Sequence, residues 1–297
     1  MRFHAAPATD ERYVLGEGPF WDASRGRLLW VDITAGEVYS GSFGNGRVIP
    51  ELLLTLPGTV GAVVSSADGE LLVAGPDRLY TVSPEGVVTP GIRILGAGTA
   101  SRLNDGGCDP AGRFLVGSLA LDARAGDEVL VRVEDDGSVS VLDDDLGLSN
   151  GLAFAPGGAV LYSVDTAAGL VWMRDYDSSS GDVGGRREFL RLDAKPDGLC
   201  VDVDGNLWIA MWGSAEVRCY SAAGEQVGVV DVAAPNTTSV AFVGAGLDTL
   251  LITTASQQLS DDQLARFPHS GRLFIADVGI RGLPVPGWAG SKTVDRV

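Results

Sequence analysis

Short apolar runs alternate with glycine-rich polar breaks along the whole chain. The clearest case is an apolar run from Leu199 to Val203, a break at Asp204-Gly205-Asn206, and a second run from Leu207 to Met211. Two β-rich runs around a tight glycine turn predict a hairpin. The pattern returns along the sequence. WDASRGRLLWVD breaks at Gly26, SSADGELLVAG at Gly69, CDPAGRFLVGS at Gly112 and FAPGGAVLYSVD at Gly158. VDVDGNLWIAMW breaks at Gly205, and FVGAGLDTLLITT, more weakly, near Gly246. The spacings between these glycines are 43, 43, 46, 47 and 41 residues. A four-stranded propeller blade repeats at about 40–50 residues.

Third strands follow the hairpins: GEVYSGSF, DRLYTVSP, EVLVRVE, GLVWMRDYD, AEVRCYS and GRLFIAD. Fourth strands are weaker, as in VIPELLLTL and SVSVLDDD. No long window carries an amphipathic helical stripe with caps. Only Ser260 to Phe267 has room for a helical turn or two. The pattern predicts an all-β, six-bladed β-propeller, one domain over residues 1–297. The segment from Phe3 to Leu15 is expected to supply an outer strand to the last blade and close the ring. Closure removes the open sheet edge that invites aggregation.

Composition narrows the partners. The 297 residues are 45% hydrophobic, enough for a sizeable core, and the 41 glycines suit many turns. A net charge of -17 argues against nucleic acid and anionic membranes, both of which would repel the chain. The N-terminus lacks the apolar core of a signal peptide, and no run approaches the roughly 20 apolar residues of a membrane span. Cys108, Cys200 and Cys219 form an odd, scattered set, expected to be reduced and buried in a cytoplasmic protein. A thiolate nucleophile would need a histidine partner, and the only histidines are His4 and His269. A monomer or weak homodimer is expected.

Candidate chemistry gathers where each innermost strand begins. Glu17-Gly18, Val60-Gly61, Asn104-Asp105-Gly106, Asn150-Gly151, Asp197-Gly198 and Ser239 stand at this point of successive repeats. Innermost strands line a propeller's central channel, so these positions converge. Taken singly, Asn-Gly and Asp-Gly are ordinary turn residues. Recurring in register, they suggest an axial site of hard oxygen donors suited to one divalent cation such as Ca²⁺, Mg²⁺ or Mn²⁺. The following glycines would let backbones pack closely at the axis.

The strings LGEGPFW, SRLNDG, LSNGLAF and PDGLCVDVDGNLWIA, in this order and across nearly the whole chain, resemble the regucalcin and gluconolactonase-like family of sugar lactone hydrolases. The resemblance implies Glu17, Asn150 and Asp197 as metal ligands, with Asp197 doubling as general base. It implies Arg102 and Asn104 as substrate-binding residues, and Asp105 as a loop anchor or a contact to an outer-sphere water. Family members use calcium, zinc, manganese or ferrous iron. One departure stands out. Where the family carries a substrate-contacting glutamate after the second strand of the third blade, SLALDARAGDE holds Leu121, with Asp122 beside it as the candidate substitute. The implied reaction is metal-assisted hydrolysis of a gluconolactone-like or pentonolactone-like cyclic ester to the aldonic acid. The alternatives are a phosphotriesterase or arylesterase on the same scaffold, and a non-catalytic calcium-binding propeller.

Three other signals are weaker. Gly147-Leu148-Ser149-Asn150-Gly151 fits a nucleophile-elbow string, but a β run rather than a helix follows it. Asp202 to Asn206 resembles part of a calcium loop, yet lacks the later glutamate, so a hairpin turn is expected. Asp143 to Asp145 reads as a solvated acidic stretch. Trp30, Trp208 and Trp212 read mainly as core, with Trp212 alone close enough to a strand end to reach the channel mouth.

Overall fold

The computed structural model describes residues 1–122, 124 and 126–290. Residues 291–297 of the expected domain, and positions 123 and 125 of the loop SLALDARAGDE, lie outside them. Two short strands open the chain, β1 (Arg2–His4) and β2 (Ala6–Pro7). Four antiparallel four-stranded sheets follow, each in chain order. The first holds β3 (Gly16–Asp22), β4 (Arg27–Asp32), β5 (Glu37–Gly44) and β6 (Arg47–Thr55). The second holds β7 (Ala62–Ser65), β8 (Leu71–Ala74), β9 (Arg78–Val82) and β10 (Val88–Arg93). The third holds β11 (Ser101–Cys108), β12 (Phe114–Ala120), β13 (Glu128–Val133) and β14 (Val139–Leu146). The fourth holds β15 (Ser149–Phe154), β16 (Val160–Asp165), β17 (Leu170–Asp175) and β18 (Arg187–Arg191).

A nine-stranded sheet contains the rest: β19 (Lys195–Val201), β20 (Leu207–Trp212), β21 (Glu216–Tyr220), β22 (Gln226–Asp231), β23 (Asn236–Val243), β24 (Thr249–Ala255) and β25 (Phe274–Ala276), with β1 and β2. Its two parts meet at one residue pair, Trp212 with Asn236. β1 runs parallel beside β22, and β2 pairs antiparallel with β25. The Arg2 guanidinium grips Asp231 at 2.6 and 2.7 Å. One short helix, α1 (Asp261–Arg266), starts at a Ser260–Gln263 capping box, within the stretch where the sequence left room for it.

The innermost strands β3, β7, β11, β15, β19 and β23 touch in that order, and β23 returns to β3. The result is an all-β propeller whose apolar cores lie between neighbouring sheets. Tyr162, Val164 and Val171, for instance, pack on Leu199, Ile209 and Met211. At the hairpin turns glycine supplies the left-handed conformation: φ is +95° at Gly69, +88° at Gly112 and +82° at Gly205. Asp202, fully buried, accepts the backbone N–H of Asp204 (3.0 Å) and Asn206 (2.9 Å) and the indole N–H of Trp208 (2.9 Å). It therefore organises a hairpin turn, not a calcium loop. Ser149 opens strand β15 and carries no elbow geometry. All three cysteines are buried and unpaired.

One irregularity recurs at the axis. The register slips between Glu17 and Phe20, Leu103 and Gly106, Asn150 and Leu152, Pro196 and Leu199, and Thr237 and Ser239. A bulge bends a strand and re-aims the side chains beside it. Here it does so at the same level of five inner strands. Only β7 pairs without a slip. The glycines at these bulges press on the next inner strand. A Cβ on Gly151 would lie 2.5 Å from the Asp197 carbonyl oxygen, and one on Gly198 would lie 2.0 Å from Ser239 Oγ. Such overpacking costs about 1–3 kcal/mol or more. Gly151→Ala is accordingly expected to lower the unfolding free energy, read from urea denaturation, by at least that amount. Gly185→Ala, where a Cβ would meet nothing within 4 Å, should stay within about 0.5 kcal/mol of the parent.

Candidate metal centre and substrate cavity

The bulges bring side chains from separate sheets into one cavity of about 550 Å³. Glu17 from β3, Arg102 and Asn104 from β11, Asn150 from β15 and Asp197 from β19 all line it. Each is nearly buried, between 4% and 8% exposed, although each is polar or charged. Asp105, next to Asn104, lines a second cavity of about 360 Å³ instead, opposite the C-terminal segment Leu283–Pro286. That segment is tied down by Leu283 N–H to Val201 O (3.3 Å), and Trp288 N–H just beyond it donates to Ser65 O (2.9 Å).

The electrostatics are lopsided. Glu17 and Asp197 are buried, and Asp105, half-buried, lies near both, with Arg102 the cation that acts on Glu17 and Asp197. Burial first, then the charges of Asp197 and Asp105, raise the Glu17 carboxyl well above the usual carboxylate range. Burial and the Asp105 charge do the same to Asp197. Burial lifts Asp105 to about 6, against the opposing Gly106 N–H. The Arg102 guanidinium is pushed down by burial to about 10 and stays charged at neutral pH. The Asn150 side chain and the Gly198 N–H act on the Asp197 carboxylate and oppose its rise, while its Oδ1 is buried with no hydrogen-bond partner among the described residues. A buried, unsatisfied carboxylate oxygen among like charges is costly, and either a proton or a cation removes the cost.

Among the described residues no group of three or more His, Cys, Asp or Glu side chains is disposed to hold a metal ion. A site here therefore needs the amide oxygen of Asn150 beside the carboxylates of Glu17 and Asp197. The hydrogen bonds orient that amide. Thr166 Oγ1 donates its one hydrogen to Pro196 O (2.7 Å), so it can only accept from Asn150 Nδ2 (3.1 Å). Asn150 Oδ1 is thereby turned away from Thr166 and lies 3.4 Å from Asn104 Nδ2. Asn104 is fixed in the same way. Its Oδ1 accepts from Arg102 Nη1 (2.8 Å), and its Nδ2 donates to Ser149 O (2.9 Å). The donor set of two carboxylates and an amide oxygen fits a hard divalent cation. Among the described residues Arg102 uses only Nη1, and its Nε and Nη2 groups have no partner there.

The loop after β12 takes a different course from the one expected. Asp122 is exposed, does not line the cavity, and binds Arg124 Nη1 through both carboxylate oxygens (3.0 and 2.9 Å). Leu121 is 65% exposed. The loop's buried acid is Glu128, which accepts from Ser101 Oγ (2.8 Å), Ser118 Oγ (2.5 Å) and Arg124 Nη2 (3.2 Å). It anchors the loop and leaves the cavity without a carboxylate from this side. Sequence reasoning missed Thr166, Lys195 and Gln258, which line the cavity. None belongs to a recurring motif, so only folding reveals them. Trp212 is half-buried and lines the cavity, while Trp30 and Trp208 are core.

Residues 15–256 match the SMP-30/Gluconolactonase/LRE-like region. Regucalcin of Gallus gallus is 31% identical, the match spanning 94% of this chain and 96% of the relative. Pentonolactonase XacC of Haloferax volcanii is 32% identical over 91% of this chain and 93% of its own length. The crystal structure of a calcium-binding protein, regucalcin, from Agrobacterium tumefaciens superposes with a TM-score of 0.90 at 27% identity, covering 97% of this chain and 98% of that one. On the extent of these matches, together with the bulged inner strands and the polar cavity they enclose, this chain belongs to the SMP-30/gluconolactonase/LRE-like family.

Proposed function

We propose that the protein hydrolyses a sugar lactone with the help of one divalent cation held by Glu17, Asn150 and Asp197. The same reading takes the nine-stranded sheet as two blades, giving six blades in one domain closed by its N-terminal strands. The observation that carries it is the unpartnered Asp197 Oδ1 in a cavity shared with Glu17 and Asn150. A pentonolactonase among the relatives supports the lactone substrate, and a structural neighbour described as calcium-binding supports the cation.

When bound, such a cation polarises an ester carbonyl and makes water a better nucleophile near neutral pH. The chain's own groups do the rest. Arg102, held by Leu103 O (2.9 Å) and Asn104 Oδ1, turns its remaining N–H groups to ring or hydroxyl oxygens of the sugar. Asn104 braces both Arg102 and Asn150, so substrate and ligand positions are mechanically linked. Asp197 has two oxygens; one faces the cation site and the other is available to take the proton from the attacking water.

Hydrolysis of glucono- and pentonolactones, followed as acid release, should be abolished by chelator and restored by a divalent salt. Metal binding with no lactone turnover would overturn the enzyme reading, and preference for a phosphotriester would replace its substrate. Asp197→Asn should cut kcat at least a hundredfold. A variant that binds metal and keeps full turnover would remove Asp197 as the base.

Thr166→Val leaves the Asn150 amide free to rotate, and calorimetry should show metal affinity falling about 10–100-fold. Thr166→Ser should recover most of it. Equal affinity in the valine variant would mean that Thr166 does not set the amide.

A pH dependence follows from the raised carboxyls. Between 3.8 and about 6 the folded, metal-free protein binds more protons at Asp105 than the unfolded chain does. This group therefore costs stability as pH rises through that window, and Glu17 and Asp197 act in the same direction. Metal binding requires the ionised ligands. The rise in melting temperature on adding calcium or manganese chloride should be larger at pH 7 than at pH 5; the reverse order would contradict the site.

A further inference from the structure

The chain has two lysines against twenty arginines, and Lys195 is the one within the described residues. Arginine and His4 make the ion pairs found there. The Lys195 side chain makes no ion pair and no hydrogen bond among the described residues. It is exposed, yet lines the same cavity as Glu17 and Asp197. It opens β19 two residues before Asp197, about 6–7 Å along a strand. Directly across the ladder stands Trp212, whose half-buried ring also lines the cavity. Opposed residues of an antiparallel pair project from the same face. Gln258, held at φ +62°, stands at the same rim, its side chain without a partner among the described residues. Asp193 shares the rim but forms no ion pair with Lys195.

These groups make a second pole of the cavity. At its base lie the buried acids and Arg102; at its rim Lys195 stands opposite Trp212 across the ladder. A sugar lactone whose ester reaches Asp197 extends its far end about one ring's width away, toward the rim. A chain carrying a net charge of -17 repels anions at long range. An uncompensated lysine at the mouth is a local remedy for that repulsion.

We propose that Lys195 is a specificity residue that holds an anionic substituent at the end of the sugar lactone away from the ester. The favoured substrates are then acidic sugar lactones bearing a phosphate, sulfonate or carboxylate. Trp212 packs on the sugar's apolar face, and Gln258 reaches its hydroxyls. The assignment rests on the lactonase reading for its kinetic arm only.

The kinetic arm compares 6-phosphogluconolactone, a uronic acid lactone and glucono-1,5-lactone in the parent, Lys195→Met and Lys195→Arg. In the parent, kcat/KM should favour the acidic lactones, and added salt should erode that preference. Lys195→Met should lower kcat/KM for the acidic lactones at least tenfold more than for the neutral one. Lys195→Arg should retain most of the preference. Whichever acidic lactone loses more identifies the substituent. An equal loss on acidic and neutral lactones, or no loss, overturns the proposal. Calorimetry with 6-phosphogluconate and gluconate supplies the arm that needs no turnover. Tighter binding of the phosphorylated acid by the parent, abolished in Lys195→Met, supports the proposal even if no lactone is cleaved. In that case only the lactonase reading fails. Indistinguishable binding by parent and variant overturns the assignment of Lys195 itself.

Discussion

Two buried carboxyls and a half-buried third held close together, with one buried guanidinium among them, are the constraint around which this propeller is arranged. Charge removed from water is expensive unless a partner replaces the lost hydration. Glu17, Asp105 and Asp197 have only part of that replacement. Gly18 N–H meets Glu17 at 3.0 Å, and Gly106 N–H meets Asp105 at 2.8 Å. Asp197 Oδ1 has none. Such an arrangement persists only when the rest of the structure over-determines it. Here that task falls to the apolar cores between the sheets, which bury residues such as Trp30, Phe114 and Phe274 almost completely.

Close approach of the inner strands is what turns this into a site. The bulges place polar side chains at one level, and the glycines beside them let neighbouring backbones meet without a Cβ between them. Gly61, on the one inner strand with no slip in register, illustrates the same economy: a Cβ there would lie 2.3 Å from the Asn104 carbonyl oxygen. The amide orientations then follow from hydrogen-bond arithmetic. Arg102, Asn104, Asn150 and Thr166 pass donors and acceptors from one sheet to the next and end on the carbonyl of Pro196. A polar network that is satisfied in one direction only leaves each amide a single useful setting.

The cavity is asymmetric in chemistry as well as in shape. Its floor is rigid, strand-borne and short of positive charge. Its rim is built from strand ends and the turn around Gln257 and Gln258. Gln257 is itself pinned, accepting from Asn236 Nδ2 through its carbonyl (2.9 Å) and from Thr34 Oγ1 through its side chain (2.7 Å). On the proposed lactonase reading, the floor takes the reacting group of a ligand and the rim its distal substituent.

Periodic features were legible without any coordinates. The hairpin glycines recur every 41 to 47 residues, and a polar residue starts five of the six inner strands; recurrence is itself evidence of a shared structural role. Glu17, Arg102, Asn104, Asn150 and Asp197 were found in this way, or through the motifs around them, and they share one cavity. Features that occur once carried no such signal. Thr166 reads as an ordinary residue after a strand, and Lys195 as a solvated charge. Asp122 looked like a substrate contact by its position in a motif, yet the fold gives it to Arg124 and turns the loop on buried Glu128. The linear order of residues determined the repeat, and with it which side chains begin each inner strand. Tertiary structure alone decided which way those side chains point, because bulges, amide settings and rim contacts depend on atoms brought together from distant parts of the chain.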